Sequence, residues 1–317
     1  VLLPGDGLYE RGTEMIKTKI LFFLFVLLTT TGIAQKTDGR LQKDLETLIQ
    51  NFGGDIGVYV KNLKNGKIVA INADTVFPTA SVVKVPILVG VMDKMSKGEL
   101  GYHQEVVYKD SLLYAGVDIL GSFKEGEKIE ISKLMMLMLS MSDNTASLWL
   151  QSLAGTGTRI NALMDSLGLP NTKVNSRTPG RETIRTKYGW EQTTPREIAT
   201  LIEKIYNGEI INRAASDRML RLLNRNYWDG TAQAQIPPYV TVFSKGGAVD
   251  ATRNEVLLVK GANSHYVFSV FTKNNKDISW NDNNEAWELT RKISAHLWKY
   301  FEPKDNWQPA PGSKKFD

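Results

Sequence analysis

The chain has 317 residues, of which 42% are hydrophobic and 23% are charged, and its net charge is +5. This is an ordinary globular composition, which excludes a disordered protein. The absence of cysteine excludes disulfides, a cysteine nucleophile and cysteine-ligated zinc or iron–sulfur sites. No dense run of lysine and arginine with interleaved aromatic residues indicates nucleic-acid binding. No two histidines have metal-ligand spacing; the three in the chain are His103, His265 and His296.

Residues 15–34 have the pattern of a secretory signal peptide. Two lysines precede an apolar run over residues 20–28, which is too short to span a bilayer, and small residues end at Ala34. We expect cleavage after Ala34, a mature chain of residues 35–317 without a stable membrane anchor, and a periplasmic or secreted location. An uncleaved N-terminal anchor is the alternative. Residues 1–14 precede a plausible start methionine and are interpreted as an over-extended reading frame.

The mature chain opens with a predicted hairpin and a buried helix. Strand-like patterns over residues 55–63 and 67–73 flank an Asn-Gly turn, which is a strong hairpin signal. An apolar stretch then predicts a buried helix over residues 81–95. Pro86 falls inside this helix and is expected to remove a backbone hydrogen bond or to kink it.

The middle of the chain is predicted to be mostly helical. One of its helices starts at Thr194-Pro195-Arg196-Glu197, a capping box with proline at the first helical position. Residues 171–193 show no clear periodicity, so we interpret them as a long functional loop. The predicted helices cover residues 131–139, 145–153, 160–167, 195–206 and 213–224.

The C-terminal part returns to strands before one amphipathic helix. The order of two strands, a helical insert, three strands and a helix predicts an α+β protein with a five-stranded antiparallel sheet. The insert would form a helical lobe, with the active site in the cleft between the two lobes of a single catalytic domain. The last elements are predicted over residues 240–244, 255–260, 266–272 and 285–300.

The predicted lobes have approximate boundaries in the sequence. The sheet lobe would combine residues 41–75 with residues 240–301, because its strands come from both ends of the mature chain. The helical lobe would cover residues 79–230. Residues on the cleft side of both lobes are therefore candidates for function.

Three short motifs could carry chemistry. Ser81 and Lys84 stand at i and i+3 at a helix start, so the amine can reach the hydroxyl. An amine buried there has a lowered pKa and can accept a proton. The other two motifs are Ser142-Asp143-Asn144 between two helices and Lys245-Gly246-Gly247 on a strand. Each motif alone is weak evidence for catalysis. A helix-capping turn could have the sequence of the second motif, and a glycine turn at the end of a strand could have that of the third.

Together, in this order, the motifs resemble the serine β-lactamase and penicillin-binding protein superfamily. Its elements are Ser-x-x-Lys, Ser-x-Asn and Lys-Thr/Ser-Gly. The separations between Ser81, Ser142 and Lys245 are close to those of class A β-lactamases, and residues 193–197 resemble the segment that closes their Ω loop. The resemblance covers residues 41–301 and implies the β-lactamase/transpeptidase-like fold.

The resemblance implies four catalytic roles. Ser81 would be the acylated nucleophile and Lys84 its proton acceptor. Ser142 would relay a proton to the departing nitrogen, and Lys245 would keep this network electropositive.

The resemblance also implies how a substrate is held. Asn144 would bond the substrate's side-chain amide, and the backbone N–H groups of Ser81 and Ala248 would form the oxyanion hole. Gly247 would let the substrate approach the strand edge closely. Arg253 would help to bind the substrate carboxylate; the alternative is a surface arginine at a strand end.

Two positions depart from the class A pattern. In class A β-lactamases an Ω-loop glutamate activates the deacylating water. Counting back from Pro195 without gaps, Thr178 occupies the position of this glutamate, and a threonine cannot act as a carboxylate base. Glu182 lies four residues further on and would either orient that water or be a solvated loop charge. Gly246 lacks the hydroxyl that normally bonds the substrate carboxylate, so recognition of that carboxylate is in doubt.

The resulting hypothesis is an exported class A-like serine hydrolase that opens β-lactam amides through a Ser81 acyl-enzyme, with slow deacylation. The first alternative is a penicillin-binding enzyme acting on D-Ala-D-Ala peptides, and the second is a non-catalytic sensor domain on the same fold. Neither a metal nor an organic cofactor is implied. The expected partner is a small β-lactam or peptide substrate.

Overall fold

The computed structural model describes residues 36–114 and 118–309, so the predicted signal peptide and N-terminal extension lie outside the described residues. The helices in this part of the chain are α1 (Gly39–Ile49), α2 (Lys84–Ser96), α3 (Ile131–Met136), α4 (Asn144–Leu153), α5 (Thr156–Ser166), α6 (Glu182–Tyr188), α7 (Pro195–Asn207), α8 (Arg213–Leu223) and α9 (Glu285–Phe301). Within the same ranges, no helix is long and apolar enough to cross a membrane.

The strands of the described residues form one large sheet and two small ones. They are β1 (Asp55–Asn62), β2 (Ile68–Ile71), β3 (Phe77–Pro78), β4 (Glu105–Val107), β5 (Lys128–Glu130), β6 (Lys173–Val174), β7 (Glu191–Thr193), β8 (Thr241–Val249), β9 (Thr252–Lys260) and β10 (His265–Lys273). The large sheet has the order β2-β1-β10-β9-β8, and its neighbouring strands pair antiparallel. This confirms the predicted five-stranded antiparallel sheet and α+β class.

Both faces of the large sheet are covered, so adjacent residues of one strand belong to different cores. On β1, Val58 and Val60 pack in one cluster with α1 and α9, whereas Tyr59 packs in the other with α7 and the helical insert. Because residues alternate between faces along a strand, each strand of a sheet that is buried on both faces has a nearly continuous run of apolar residues.

The first predicted helix begins as an α-helix later than expected, which changes the position of Pro86 in it. Residues Ala80–Val83 form a 3₁₀ turn, and the α-helix starts only at Lys84. Pro86 therefore lies in the first turn, where a backbone N–H has no partner within the α-helix. Contrary to the expectation of a lost hydrogen bond, Pro86 removes none from the α-helix.

Residues 171–193 are not a structureless loop, contrary to the prediction. They contain β6, α6 and β7, and β7 pairs with both β6 and β3. Helix α6 has no buried residue, so it leaves no apolar periodicity to detect. The two strands are only two and three residues long and give no alternating pattern.

The capping box at α7 is only half formed. Thr194 Oγ1 accepts a hydrogen bond from the Glu197 backbone N–H at 3.1 Å, as predicted. The Glu197 carboxylate instead accepts bonds from the Asn171 backbone N–H at 3.0 Å and the Thr172 hydroxyl at 2.7 Å. Glu197 therefore connects α7 to the start of segment 171–193 through hydrogen bonds.

Candidate active site

Ser81 lies on the 3₁₀ turn that joins β3 to α2. The preceding Ala80 has a positive φ of 48°, an uncommon conformation for a residue with a Cβ. The Val82 backbone N–H donates to Thr79 O at 3.2 Å, which closes the turn. The turn thus presents the Ser81 hydroxyl to the cavity between the lobes.

Lys84 is the centre of the hydrogen-bond network. Its Nζ lies 2.8 Å from Ser81 Oγ, 3.1 Å from Ser142 Oγ and 2.9 Å from Asn144 Oδ1, and it donates to Ser142 O at 2.7 Å. Burial holds the pKa of this amine well below its usual value, and the nearby Lys245 charge lowers the pKa further. A neutral amine in hydrogen-bond contact with a hydroxyl can accept that hydroxyl's proton.

Ser142 is positioned by an unusual end to the helix before it. After α3 the chain forms a π-helical turn over Leu137–Met141, and Ser142 then adopts φ 61°, in the left-handed region. Asp143 caps α4 through the Ala146 N–H at 2.7 Å, and its carboxylate also accepts from the Ile119 N–H at 2.7 Å. Sequence reasoning gave Asp143 no role, but it anchors the motif.

Lys245 completes the network from the sheet. Its Nζ donates to Ser142 Oγ at 3.1 Å and to Gly246 O at 2.8 Å. Burial lowers the pKa of Lys245 to about 7, and the Glu255 charge partly opposes this effect. Two amines with lowered pKa values therefore contact the same Ser142 hydroxyl.

Strand β8 is an edge strand of the sheet and faces the Ser81 turn. A Cβ at Gly247 would lie 2.5 Å from Ser81 N and 2.7 Å from Thr79 O, so any side chain would push the two segments apart. The glycine is thus required by the protein's own packing, whereas the sequence interpretation attributed it to substrate approach. Gly246, Gly247 and Ala248 all line the cavity.

Arg253 is buried, so the surface alternative was wrong. Its guanidinium carbon lies 4.5 Å from the ring centroid of Trp280 and 4.9 Å from that of Trp287, and these two rings pack edge to face against each other. Its Nη atoms donate to backbone carbonyls, at 2.8 Å for Asp250 O and 3.0 Å for Ser279 O. Burial lowers its pKa.

The cavity between the lobes has a volume of about 530 Å³ and an aromatic rim that the sequence analysis missed. Tyr227 packs edge to face on Trp228, whose indole N–H donates to Met141 O at 3.0 Å. Trp280 and Trp287 form a second edge-to-face pair. These three tryptophans and one tyrosine have no motif spacing, so nothing in the sequence marks them as site residues.

The structure brings together Ser81, Lys84, Ser142, Asn144 and Lys245 through direct hydrogen bonds. In the described part of the chain, no cluster of three or more histidine, aspartate or glutamate residues could hold a metal ion.

Thr178 and Glu182 are not among the residues that line the cavity. Thr178 is buried against α5, where a Cβ at Gly157 would overlap its hydroxyl, and it donates to Ser176 O at 3.0 Å. Glu182 is exposed at the first turn of α6 and accepts from the Gly180 N–H at 3.2 Å.

Glu191, the other acid on this segment, is buried next to the nucleophile turn. Its backbone carbonyl accepts from the Thr79 N–H at 3.2 Å. Neither carboxyl oxygen makes a hydrogen bond within the described residues. Burial raises the pKa of this carboxyl well above its usual value of 4.5.

We expect Glu191 to make the protein less stable as pH rises. The folded state keeps the Glu191 proton at pH values where the unfolded state has lost it, so stability falls from about pH 4.5 until the raised pKa is reached. The unfolding free energy of Glu191→Gln minus that of wild type should therefore increase with pH in this window, by up to about 1.4 kcal/mol per pH unit. Denaturant unfolding at several pH values measures this difference.

Glu182→Gln provides the matched control, because it makes the same substitution at an exposed position of the same segment. Parallel pH profiles for Glu191→Gln and wild type would mean that Glu191 is ionised in the folded protein.

Known proteins with similar sequences and structures are β-lactamases and a penicillin-binding protein. β-Lactamase VEB-1 of Pseudomonas aeruginosa is 23% identical over 302 residues, covering 91% of this chain and 99% of that protein. A variant of PBP-A, solved as an acyl-enzyme complex with penicillin G, is 26% identical, with a TM-score of 0.75 over 85% of this chain and 98% of that one.

A β-lactamase of Chitinophaga pinensis shares the fold at a TM-score of 0.73 and 22% identity, over 82% of this chain and 99% of its own. The family model described as the β-lactamase enzyme family matches residues 40–301, which include every residue of the hydrogen-bonded network. This chain belongs to the β-lactamase enzyme family.

Proposed function

We propose that this protein is a serine hydrolase whose Ser81 is acylated by β-lactams or related amides, with slow release of the acyl group. The observation that carries the proposal is the position of Lys84 Nζ, which is buried and lies 2.8 Å from Ser81 Oγ and 3.1 Å from Ser142 Oγ. This geometry provides a base for the nucleophile and a path for its proton.

Acylation begins when Ser81 Oγ attacks the amide carbonyl carbon and Lys84 accepts the hydroxyl proton. The carbonyl oxygen becomes negative, and the backbone N–H groups of Ser81 and Ala248 would stabilise it. The C–N bond then breaks, the nitrogen receives a proton through Ser142, and an ester on Ser81 remains. Lys245 would hold Ser142 and favour this proton transfer through its charge.

Deacylation requires a water molecule to lose a proton and attack the Ser81 ester, releasing an acid and the free hydroxyl. Within the described ranges, no carboxylate of segment 171–193 lines the cavity. Misplacing a catalytic group by about 1 Å can reduce the rate 10²-fold. This supports an acyl-enzyme that persists for seconds or longer.

Similarity to PBP-A supports a penicillin-binding enzyme acting on D-Ala-D-Ala peptides as the second candidate. A PBP-A variant has been solved as an acyl-enzyme with penicillin G. A slow second step would suit such a protein better than an efficient β-lactamase.

A chromogenic cephalosporin distinguishes these functions, with intact mass recorded over time. Sustained turnover supports a β-lactamase, and one equivalent of product with a stable adduct supports the penicillin-binding candidate. No reaction and no adduct with any β-lactam would contradict both.

We expect Glu182→Gln to leave the lifetime of the acyl-enzyme unchanged. The Glu182 carboxylate is exposed, bonds the Gly180 N–H and does not line the cavity that contains Ser81. Decay of the adduct, followed by mass after removal of excess β-lactam, measures the lifetime. A longer lifetime in this variant would contradict this expectation and favour the alternative in which Glu182 orients the deacylating water.

Export is part of the proposal and is supported by the pattern over residues 15–34. N-terminal sequencing of the protein recovered from the periplasm or medium would test it. A mature start at Gln35 is the expected result.

A further inference from the structure

The cavity extends from Ser81 toward the side where a leaving group would lie. Ser142 and Lys245, which would deliver a proton to the departing nitrogen, both line it. Segment 171–193, all of which the structure describes, contributes no residue to the lining. The cavity ends at an aromatic rim that consists of Tyr227, Trp228, Trp280 and Trp287. Its space therefore lies mainly beyond the scissile bond, on the side of the nitrogen.

One half of the aromatic rim is tied to the π-helical turn that precedes Ser142. The Tyr227 backbone N–H donates to Ser140 O at 3.0 Å. The Trp228 indole N–H donates to Met141 O, also at 3.0 Å. The two rings pack edge to face with their centroids 5.2 Å apart. The orientation of this pair is thus set by the protein itself.

The same loop is also tied to strand β8. The Asn226 side-chain amide donates to Ser244 Oγ at 3.2 Å, one residue before Lys245. The Trp228 backbone N–H donates to Asn226 Oδ1 at 3.2 Å. These bonds and those to the π-helical turn place Trp228 beside the two motifs that would protonate the leaving nitrogen.

The other half of the rim packs on Arg253, which pairs with Ala248 of β8 in the antiparallel register. The guanidinium carbon lies 4.5 Å from the ring centroid of Trp280 and 4.9 Å from that of Trp287. Contact with a cation over the ring stabilises the position of an aromatic side chain. Both tryptophans are therefore held near the strand that would bind the carbonyl oxygen.

The rim leaves large aromatic surfaces in contact with water. Tyr227 and Trp280 are each 63% exposed and Trp228 is 47% exposed, although all three line the cavity. Aromatic side chains gain much from burial, and exposed apolar surface around a cavity is typical of a ligand-binding groove. Rings that are held in place but uncovered form a site that a flat apolar group can enter without reordering the protein.

We propose that the aromatic rim is a subsite for an aromatic ring carried by the leaving group, with Trp228 and Trp280 as the specificity-determining residues. This inference rests on the proposed acylation of Ser81 and names the substrate class. The substrate is an amide whose nitrogen, protonated through Ser142 when the C–N bond breaks, stays attached to a fragment with a planar apolar group. The preference concerns the ring and applies equally to fragments that also carry a carboxylate, as those of β-lactams do.

Two cephalosporins test this directly, one with a styryl group and one with a 1-propenyl group at C3. They share the acyl side chain and the carboxylate, and neither C3 group is expelled when the β-lactam ring opens, so they differ only by phenyl against methyl. Acylation of the full-length protein is followed by mass below saturation, and each second-order rate constant is divided by that compound's rate of alkaline hydrolysis. We expect a styryl-to-propenyl ratio of about five or more. A ratio of one or below overturns the inference.

Alanine variants assign the preference to the rim. Trp228→Ala and Trp280→Ala each remove one ring, so the ratio should fall by about threefold or more in each. Tyr239→Ala is the control, because Tyr239 is an aromatic residue with 69% exposure that does not line the cavity, and its ratio should equal that of wild type. Circular dichroism and thermal unfolding identify variants that do not fold, and the wild-type ratio tests the proposal without them. An unchanged ratio in both folded tryptophan variants overturns it.

Binding to Ser81→Ala separates the inference from the proposed function. This variant lacks the nucleophile, so calorimetry measures the dissociation constants of the two intact compounds. If neither compound modifies Ser81 of the wild-type protein, the proposed function fails. Tighter binding of the styryl compound to Ser81→Ala would then still support the subsite, and equal dissociation constants would overturn it. If both compounds modify Ser81 at equal corrected rates, only the subsite fails.

Discussion

Replacement of Ser81 by alanine is expected to abolish the covalent adduct with β-lactams and to lower hydrolysis by on the order of 10⁴-fold or more. The hydroxyl that Lys84 contacts at 2.8 Å is lost, so no atom remains there to form the ester. Intact mass and peptide mapping after incubation with penicillin G measure the adduct and its position.

Ser147 on α4 is a matched control for this substitution. Its hydroxyl is buried and makes no hydrogen bond within the described residues. Ser147→Ala therefore removes a hydroxyl without breaking a hydrogen bond. This variant should acylate like wild type. An undiminished adduct in Ser81→Ala would show that a different residue is the nucleophile.

Replacement of Lys84 by alanine is expected to slow acylation by a factor on the order of 10²–10⁴, as for loss of a positioned general base. The substitution removes the group that contacts Ser81, Ser142 and Asn144 together. The α2 helix should persist because alanine favours helix. Stopped-flow acylation rates measure the effect.

The pH dependence distinguishes a base from a structural residue. Since burial lowers the pKa of Lys84, the wild-type acylation rate should rise as pH passes through that pKa and then level off. The rise should disappear in Lys84→Ala. Lys94→Ala, on the same helix but paired with Glu99, should retain both rate and profile. Wild-type acylation rates in Lys84→Ala would leave Lys84 only a structural role.

The parts of the site that were predicted depend on short-range spacing. Ser81 and Lys84 are three residues apart, and consecutive helical turns bring such residues together whether the turn is 3₁₀ or α. Lys245 was correctly placed on a strand, although β8 extends five residues beyond the predicted end. Its glycines have low strand propensity, and pairing with β9 determines where the strand ends.

Other features could not be predicted, because they depend on contacts between distant segments. Arg253 packs against Trp280 and Trp287, which lie about thirty residues away in sequence. Thr178 occupies the predicted position of the base in the sequence, but its side chain packs against α5. A local pattern cannot show to which side of the chain such a residue turns.

The sequence by itself determined the five strands of the large sheet, most of the longer helices and the residues able to carry serine chemistry, because apolar periodicity and motif spacing are local properties. It did not indicate α1, α6 or the strands of the two small sheets. Only the tertiary structure decided that Lys84 Nζ bonds both the Ser81 turn and the Ser142–Asn144 loop, that Gly247 must be glycine to pack against Ser81, and that Glu255 stands opposite Gly246. These depend on strand register and on the packing of β8 against the Ser81 turn. A shift in that register by one residue would turn each side chain to the other face.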